Sequence, residues 1–115
     1  MTEETQRKLA AVMCADVAGY SRMMGQDEDG TLAALKAHRN AVDPIVFNAG
    51  GHIVKTTGDG MLIEFASVLA AVKSSLAAQR EMTQRNATLP TDRRMQFRIG
   101  IHVGEIGRAS CRERV

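Results

Sequence analysis

Asp16 and Asp59 are the two residues whose types and positions best suit metal-dependent chemistry. Asp16 directly follows a continuous apolar run (residues 9–15), which is typical of a buried strand. Asp59 lies between Gly58 and Gly60 in a turn that separates two apolar runs. Two carboxylates on rigid backbone can share hard cations, and Mg²⁺ binds one or two carboxylates together with substrate phosphates. A structural interpretation stays open, since Asp-Gly forms turns in many proteins and a strand-end aspartate often caps a loop.

Three further positions could contact a phosphorylated substrate. The predicted loop 17–25 contains Gly19, where backbone N–H groups could meet phosphate oxygens. Lys55 lies on the strand that leads into the glycine-rich turn and could bind a base or a phosphate. Arg98 lies on the polar face of the last predicted strand, and a guanidinium group suits phosphate. The alternative interpretations are an ordinary loop at Gly19, a solvated side chain at Lys55 and a surface ion pair at Arg98.

The composition argues against several other classes of function. The formal charge of +2 comes entirely from residues 106–115, because residues 1–105 contain 12 basic and 12 acidic side chains. Net charge is therefore no argument for a nucleic-acid partner, and 3% aromatic residues are too few for a base-stacking surface. No apolar stretch approaches the roughly 20 residues of a membrane helix, and the N-terminal region lacks a signal-peptide pattern. We expect a cytoplasmic protein with no membrane segment in this chain.

The spacing of apolar residues predicts the elements that must position these side chains. The predicted order is strand, helix, strand, strand, helix, strand, which indicates an α/β fold of the ferredoxin-like sandwich type, βαββαβ. Pro44 is expected to kink the first helix or to split it. Regular alternation along the second strand would place Lys55 on the same face as Ile53. The predicted apolar stripe of the second helix consists of Val68, Ala71, Val72, Leu76 and Met82.

The last ten residues, 106–115, follow none of these patterns. Their sequence IGRASCRERV corresponds closely to a translated sequencing adapter, which predicts that the segment is not native to the protein. The alternative is a genuine basic tail without regular structure. We therefore take residues 1–105 as the part of the chain that belongs to the folded domain and leave the tail out of the fold prediction.

Three segments together resemble the catalytic domain of class III adenylate/guanylate cyclases. They are RKLAAVMCADVAGYS at 7–21, GGHIVKTTGDGMLIEF at 50–65 and FRIGIHVGE at 97–105. The resemblance covers about residues 7–105. It implies the N-terminal part of a class III nucleotidyl cyclase fold, which is incomplete within this chain.

The resemblance also implies a role for each matching position. The residues that match the metal site are Asp16 and Asp59, with Val17 lending a backbone carbonyl. The residues that match the triphosphate-binding loop are Gly19, Tyr20 and Ser21. Lys55 matches the position that selects the base, where lysine accompanies adenine and glutamate accompanies guanine, and Arg98 matches a phosphate-contacting arginine.

The activity implied by the resemblance is conversion of ATP to 3′,5′-cyclic AMP and pyrophosphate by two Mg²⁺ or Mn²⁺ ions, at sites between the subunits of a homodimer. No position here matches the family's transition-state asparagine and arginine, so we expect the 115-residue chain to be inactive alone. The alternatives are a guanylate cyclase and a non-catalytic cyclase-like dimerisation module. A phospho-accepting receiver domain would need an acidic pair at the strand end, whereas Asp16 lies between Ala15 and Val17.

Overall fold

The computed structural model describes residues 9–105, and the segment 106–115, predicted to be non-native, lies outside this range. The strands are β1 (Leu9–Val17), β2 (His52–Thr57), β3 (Gly60–Phe65) and β4 (Phe97–Glu105). The α-helices are α1 (Tyr20–Gln26), α2 (Glu28–Asn48) and α3 (Val68–Ala87), and a 3₁₀ turn spans Thr91–Arg93. Within the described range, no helix is both long enough and apolar enough to cross a bilayer.

The four strands form one antiparallel sheet in the order β2-β3-β1-β4. β1 and β2 run in the same direction and are joined through α1 and α2, and β3 returns from β2 to lie between them. This arrangement is the ferredoxin-like α/β topology, so the predicted fold class is confirmed. It brings the C-terminal end of β1, the β2–β3 turn and the start of β4 to one end of the sheet.

The core lies between the sheet and helices α2 and α3. On β3, Met61, Ile63 and Phe65 are buried while the intervening residues are only partly buried, as period-2 alternation requires. The side chains on the same face of β1 are small or flexible: Ala11, Met13, Ala15 and Val17. The opposite sheet face therefore carries the residues between them, Asp16 among these.

The connection after β1 is shorter than the sequence predicted. Residues 20–26 form α1, whereas the whole range 17–25 was expected to be a loop. The left-handed backbone of Gly19 (φ 70°) turns the chain directly into this helix. A helix of seven residues is too short to show a full apolar repeat, which explains why periodicity missed it.

Pro44 does not split α2, which continues through it to Asn48. The proline is exposed, so the carbonyl that loses its helical partner can be hydrated. Val42 and Val46, on either side of it, are each about 1% exposed and hold both halves of the helix against the core. The prediction of a split helix is therefore wrong because packing of the buried face outweighs the loss of one hydrogen bond.

The predicted apolar stripe of α3 is wrong in three of its five positions. Val68, Val72 and Leu76 are exposed, while Ala71 and Met82 are buried. The buried face of α3 is completed by three small residues, Ser74, Ser75 and Ala78. Small side chains let α3 approach the sheet closely, so its larger apolar residues point outward.

Candidate active site

The two candidate metal-binding aspartates meet at the end of the sheet where β1 stops. The β2–β3 hairpin turns through two residues, with Gly58 in a left-handed conformation (φ 39°) and Asp59 beside it. The backbone N–H of Val17 donates a hydrogen bond to Asp59 Oδ2 at 2.9 Å. This bond attaches the turn to the end of β1, next to Asp16, although the two aspartates are 43 positions apart in the sequence.

Arg98 joins this corner through a bidentate ion pair with Asp16. The two residues are directly opposite each other on β4 and β1. The guanidinium donates from Nε to Asp16 Oδ1 at 2.8 Å and from Nη2 to Oδ2 at 3.0 Å. The hydrogen bond to Asp16 and its charge raise the pKa of Arg98, and the charge of Asp59 adds to this effect. The corner therefore combines two carboxylates with one guanidinium.

The donor set at this corner suits a hard divalent cation that a substrate helps to bind. Two carboxylates and nearby backbone oxygens are ligands that Mg²⁺ accepts, provided that water or phosphate oxygens complete the shell. Within residues 9–105, no group of three or more His, Cys, Asp or Glu side chains forms a protein-only metal site. A site of two aspartates fits Mg²⁺ or Mn²⁺ better than zinc, which favours nitrogen and sulfur ligands.

Lys55 lies on the sheet face that carries Asp16, contrary to the alternation expected from the sequence. Ile53 pairs with the buried Ile63, whereas Lys55 pairs with Leu62, which points to the opposite face. The register shifts between these two pairs, so that Val54 is an extra residue on β2. This bulge, which periodicity cannot reveal, turns the lysine away from the helices and toward the sheet face that carries Asp16.

Lys55 and Asp16 share a sheet face but are not neighbours. In the ladder, Lys55 stands opposite Leu62, which pairs with Cys14, two residues before Asp16. Standard spacings along and between strands put the Cα atoms of Lys55 and Asp16 about 12 Å apart. The lysine is exposed on edge strand β2. The two predicted functions, base selection and metal binding, thus occupy different parts of one surface.

The residues predicted to hold phosphate form the start of α1. Gly19 precedes the helix, Tyr20 packs against the core and Ser21 is exposed. A Cβ atom added to Gly19 would lie 2.8 Å from Arg22 Nη2, so the Arg22 guanidinium covers this glycine. The sequence analysis did not identify Arg22. A contact between Gly19 and a residue three positions later is expected only where the chain is helical, and α1 was not predicted.

Comparison with known proteins identifies the family and the fold of this chain. The family model of the adenylate and guanylate cyclase catalytic domain matches residues 2–111. The chain belongs to this family. This is the family that the three sequence motifs resemble. Cyclase domains act on nucleotides and use divalent metal ions.

Two curated proteins and one solved structure are similar to this cyclase domain. It is 41% identical over 105 residues to "Putative adenylate cyclase 3" of Rhizobium meliloti, covering 90% of this chain and 18% of that protein. It is 30% identical over 96 residues to serine/threonine-protein kinase pkn2 of Myxococcus xanthus, covering 83% of this chain and 12% of that protein. The crystal structure of an adenylate/guanylate cyclase/hydrolase from Silicibacter pomeroyi is 46% identical with a TM-score of 0.79, over 87% of this chain and 59% of that one.

The chain thus spans less than a fifth of either curated relative and 59% of the Silicibacter pomeroyi structure. The similarity to the kinase concerns 12% of that protein and gives no reason to assign kinase activity to the cyclase domain.

Proposed function

We propose that this cyclase domain is part of an adenylate cyclase that converts ATP to 3′,5′-cyclic AMP and pyrophosphate. The observation that carries the proposal is the corner at the end of β1, where the hydrogen bond from Val17 to Asp59 brings a second carboxylate beside Asp16. The substrate's 3′-oxygen forms a bond to the α-phosphorus, the bond to the pyrophosphate oxygen breaks, and the hydroxyl proton is released. The cyclic product and pyrophosphate account for all atoms of ATP.

In this proposal, Asp16, Asp59 and the Val17 carbonyl hold Mg²⁺ or Mn²⁺, and two such ions supply charge stabilisation at the reacting phosphate. Asp59 is held by the Val17 amide, which fixes one carboxylate oxygen and leaves the other free for a ligand. Arg98 is close enough to the same corner to supply positive charge to the phosphates. Such positioning and charge neutralisation carry most of the catalysis in phosphoryl chemistry.

The backbone at Gly19, Tyr20 and Ser21 is proposed to bind the triphosphate. The support is local: Gly19 has a left-handed conformation that residues with a side chain rarely adopt, and it directly follows the metal corner. Tyr20 contributes backbone only in this proposal, because its side chain packs against the core.

Lys55 is proposed to select adenine. An ammonium group donates hydrogen bonds and suits an acceptor nitrogen of adenine, whereas guanine presents a different set of donors and a carbonyl. The supporting observation is the bulge that turns Lys55 to the face of Asp16.

We also propose that the protein works in the cytoplasm, where ATP is available.

A homodimer is proposed to complete the site. Lys55 and Asp16 are about 12 Å apart on one face of the sheet, by strand spacing. A second copy packed against this face could bring the lysine of one subunit opposite the aspartates of the other. Because the family's transition-state asparagine and arginine have no matching position in these 115 residues, we propose that this chain alone does not produce cyclic nucleotide.

The proposal is tested by cyclic nucleotide formation in the full-length protein with Mg²⁺ or Mn²⁺. Asp16→Asn and Asp59→Asn should each lower the rate at least a hundredfold, because each change removes an anionic ligand. Asp43→Asn is the matched control, since Asp43 pairs with Arg39 on α2 away from the corner. Wild-type rates in either site variant would refute the metal role, and GTP as the better substrate would identify a guanylate cyclase instead.

A further inference from the structure

The Arg98 side chain cannot hold Asp16 and contact substrate phosphates with the same N–H groups. The proposed function requires its guanidinium to contact substrate phosphates, yet in the structure the same group holds both carboxylate oxygens of Asp16. Asp16 is itself a proposed metal ligand. One residue therefore links the two components of the site that must bind together, the cation and the triphosphate.

A divalent cation and the guanidinium compete for the same oxygens. The fork uses the lone pairs of Oδ1 and Oδ2 that face Arg98, so an ion that binds the carboxylate from that side displaces at least one of the two hydrogen bonds. The side chains of Arg98 and Asp16 are 68% and 44% exposed. Ion pairs with this exposure are weak because water solvates both partners. A modest concentration of a divalent cation should therefore be enough to replace the guanidinium at Asp16.

Asp59 is a second source of negative charge at the corner. Its charge also acts on Arg98, although its Oδ2 is already bonded to the Val17 amide. Arg98 is on a strand whose backbone is fixed opposite β1, so only its side chain has to move. A guanidinium that leaves Asp16 thus stays close to the position where phosphate oxygens would bind.

We propose that Arg98 is a positioning residue that holds Asp16 until a divalent cation binds there and then turns to the substrate's phosphates. The inference rests on the proposed function of the same corner. It implies that Arg98 weakens cation binding in the absence of nucleotide and strengthens the coupling between the cation and the triphosphate. Because coupling is reciprocal, nucleotide should tighten cation binding by the same factor as cation tightens nucleotide binding.

The experiment is a titration of the full-length protein with Mn²⁺, with free Mn²⁺ measured by electron paramagnetic resonance in the absence of nucleotide. Arg98→Gln should lower the Mn²⁺ dissociation constant by roughly two- to fivefold, the range expected for removal of an exposed ion pair. The second measurement repeats the titration with a non-hydrolysable ATP analogue. The analogue should tighten Mn²⁺ binding less in Arg98→Gln than in wild type.

Two further variants separate competition at Asp16 from a general effect of charge. Arg98→Lys keeps the positive charge but cannot form the two-pronged contact, so it should bind Mn²⁺ nearly as tightly as Arg98→Gln. Arg22→Gln removes a cation beside Gly19 that is not paired with Asp16. It should leave Mn²⁺ affinity close to wild type. If Arg98→Lys matches wild type, or if Arg22→Gln tightens binding as much as Arg98→Gln, the ion pair is not the competitor and the inference is overturned.

Asp16→Asn distinguishes failure of the inference from failure of the proposed function. Mn²⁺ binding that depends on Asp16 but is unchanged in Arg98→Gln would overturn the role of Arg98 and leave the metal site intact. Mn²⁺ binding that is equal in wild type and Asp16→Asn, or absent from every variant, would overturn both. Equal melting temperatures of all variants establish that the differences arise at the site.

Discussion

At the residue scale, position on the sheet matters as much as residue type. Asp16, Lys55 and Arg98 project from one face of three different strands, and the strand neighbours of Asp16 and Arg98 contribute to the core. A single hydrogen bond from Val17 then adds Asp59 to this face. Asp16 and Arg98 are therefore polar at strand positions where a period-2 pattern allows this without cost to the core.

The selectivity of Lys55 gives a prediction at this scale. In the full-length protein, Lys55→Glu should reduce the ratio of ATP to GTP turnover by about five- to a hundredfold, since a mismatched buried hydrogen-bonding group costs roughly 1–3 kcal/mol. The measurement is cyclic nucleotide formation from each triphosphate. Lys73→Glu, on the exposed surface of α3, is the control for loss of a positive charge. An unchanged ratio in Lys55→Glu, or equal wild-type rates with ATP and GTP, would exclude Lys55 as the selector.

At the element scale, the bulge in β2 determines which face Lys55 occupies. Val54 is the extra residue in the pairing between Ile53 and Lys55. Deleting Val54 should leave every other β2–β3 pair in register and keep Lys55 opposite Leu62. Deleting Thr56 should instead move Lys55 into the register of Met61, which faces the core.

The two deletions are compared in the full-length protein by melting temperature and by the ATP-to-GTP ratio. The Val54 deletion should retain the wild-type ratio of ATP to GTP turnover. The Thr56 deletion should lower this ratio, because Lys55 then lies on the face opposite to that of Asp16. Both variants should melt close to the wild-type temperature, since β2 is exposed along its length. A lowered ratio of ATP to GTP turnover in both variants would mean that Val54 is not the extra residue.

The contact between α2 and α3 contains a buried histidine that should make stability depend on pH. His38 is 3% exposed, and its Nδ1 accepts a hydrogen bond from Arg85 Nε at 2.9 Å. Burial, and secondarily the charge of Arg85, lowers the pKa of His38 from its ordinary value of 6.5. The folded state therefore disfavours the protonated imidazole.

The sign of the pH dependence follows from this shift. Below about pH 6.5 the unfolded chain binds a proton at His38 that the folded chain does not, so stability should decrease as the pH falls through the interval between 6.5 and the lowered pKa. Above pH 6.5 this contribution is constant. His38→Gln keeps an acceptor for Arg85 and should flatten the dependence of the melting temperature on pH below about 6.5. His52→Gln, on exposed β2, should retain it; an equal slope in wild type and His38→Gln would contradict this assignment.

At the scale of the whole molecule, apolar surface is exposed on the helix layer. Val68, Leu69, Val72 and Leu76 lie on α3 and are between 37% and 63% exposed. Within the described residues, β2 and β4 are also the two edges of the sheet. Exposed apolar helix surface and open sheet edges both promote association with other chains.

We therefore expect the 115-residue chain, expressed alone, to aggregate or to melt at low temperature. The double change Leu69→Lys and Leu76→Lys should raise its soluble yield without lowering its melting temperature, since both side chains are largely in water. Met82→Lys is the contrasting change, because Met82 is 2% exposed and a lysine there should prevent folding. A soluble, sharply melting wild-type monomer would disprove the expectation.

The sequence by itself determined the class of fold, the hairpin at Asp59 and the family. These features depend on signals that lie within a few residues of each other: alternation along β3 and β4, the Gly58-Asp59-Gly60 turn, and three short motifs. Asp27 is a further local feature, because aspartate favours the N-terminus of a helix and its side chain accepts a hydrogen bond from Gly30 N at the start of α2.

Only the tertiary structure decided how these parts meet. The ion pair between Asp16 and Arg98 joins residues 82 positions apart, and the face of Lys55 depends on one unpaired residue in β2. The buried face of α3 follows from how closely the helix approaches the sheet, which hydrophobicity alone does not encode. Local patterns determine each element's own hydrogen bonds and periodicity, whereas register and burial depend on the element packed against it, and that partner is distant in sequence.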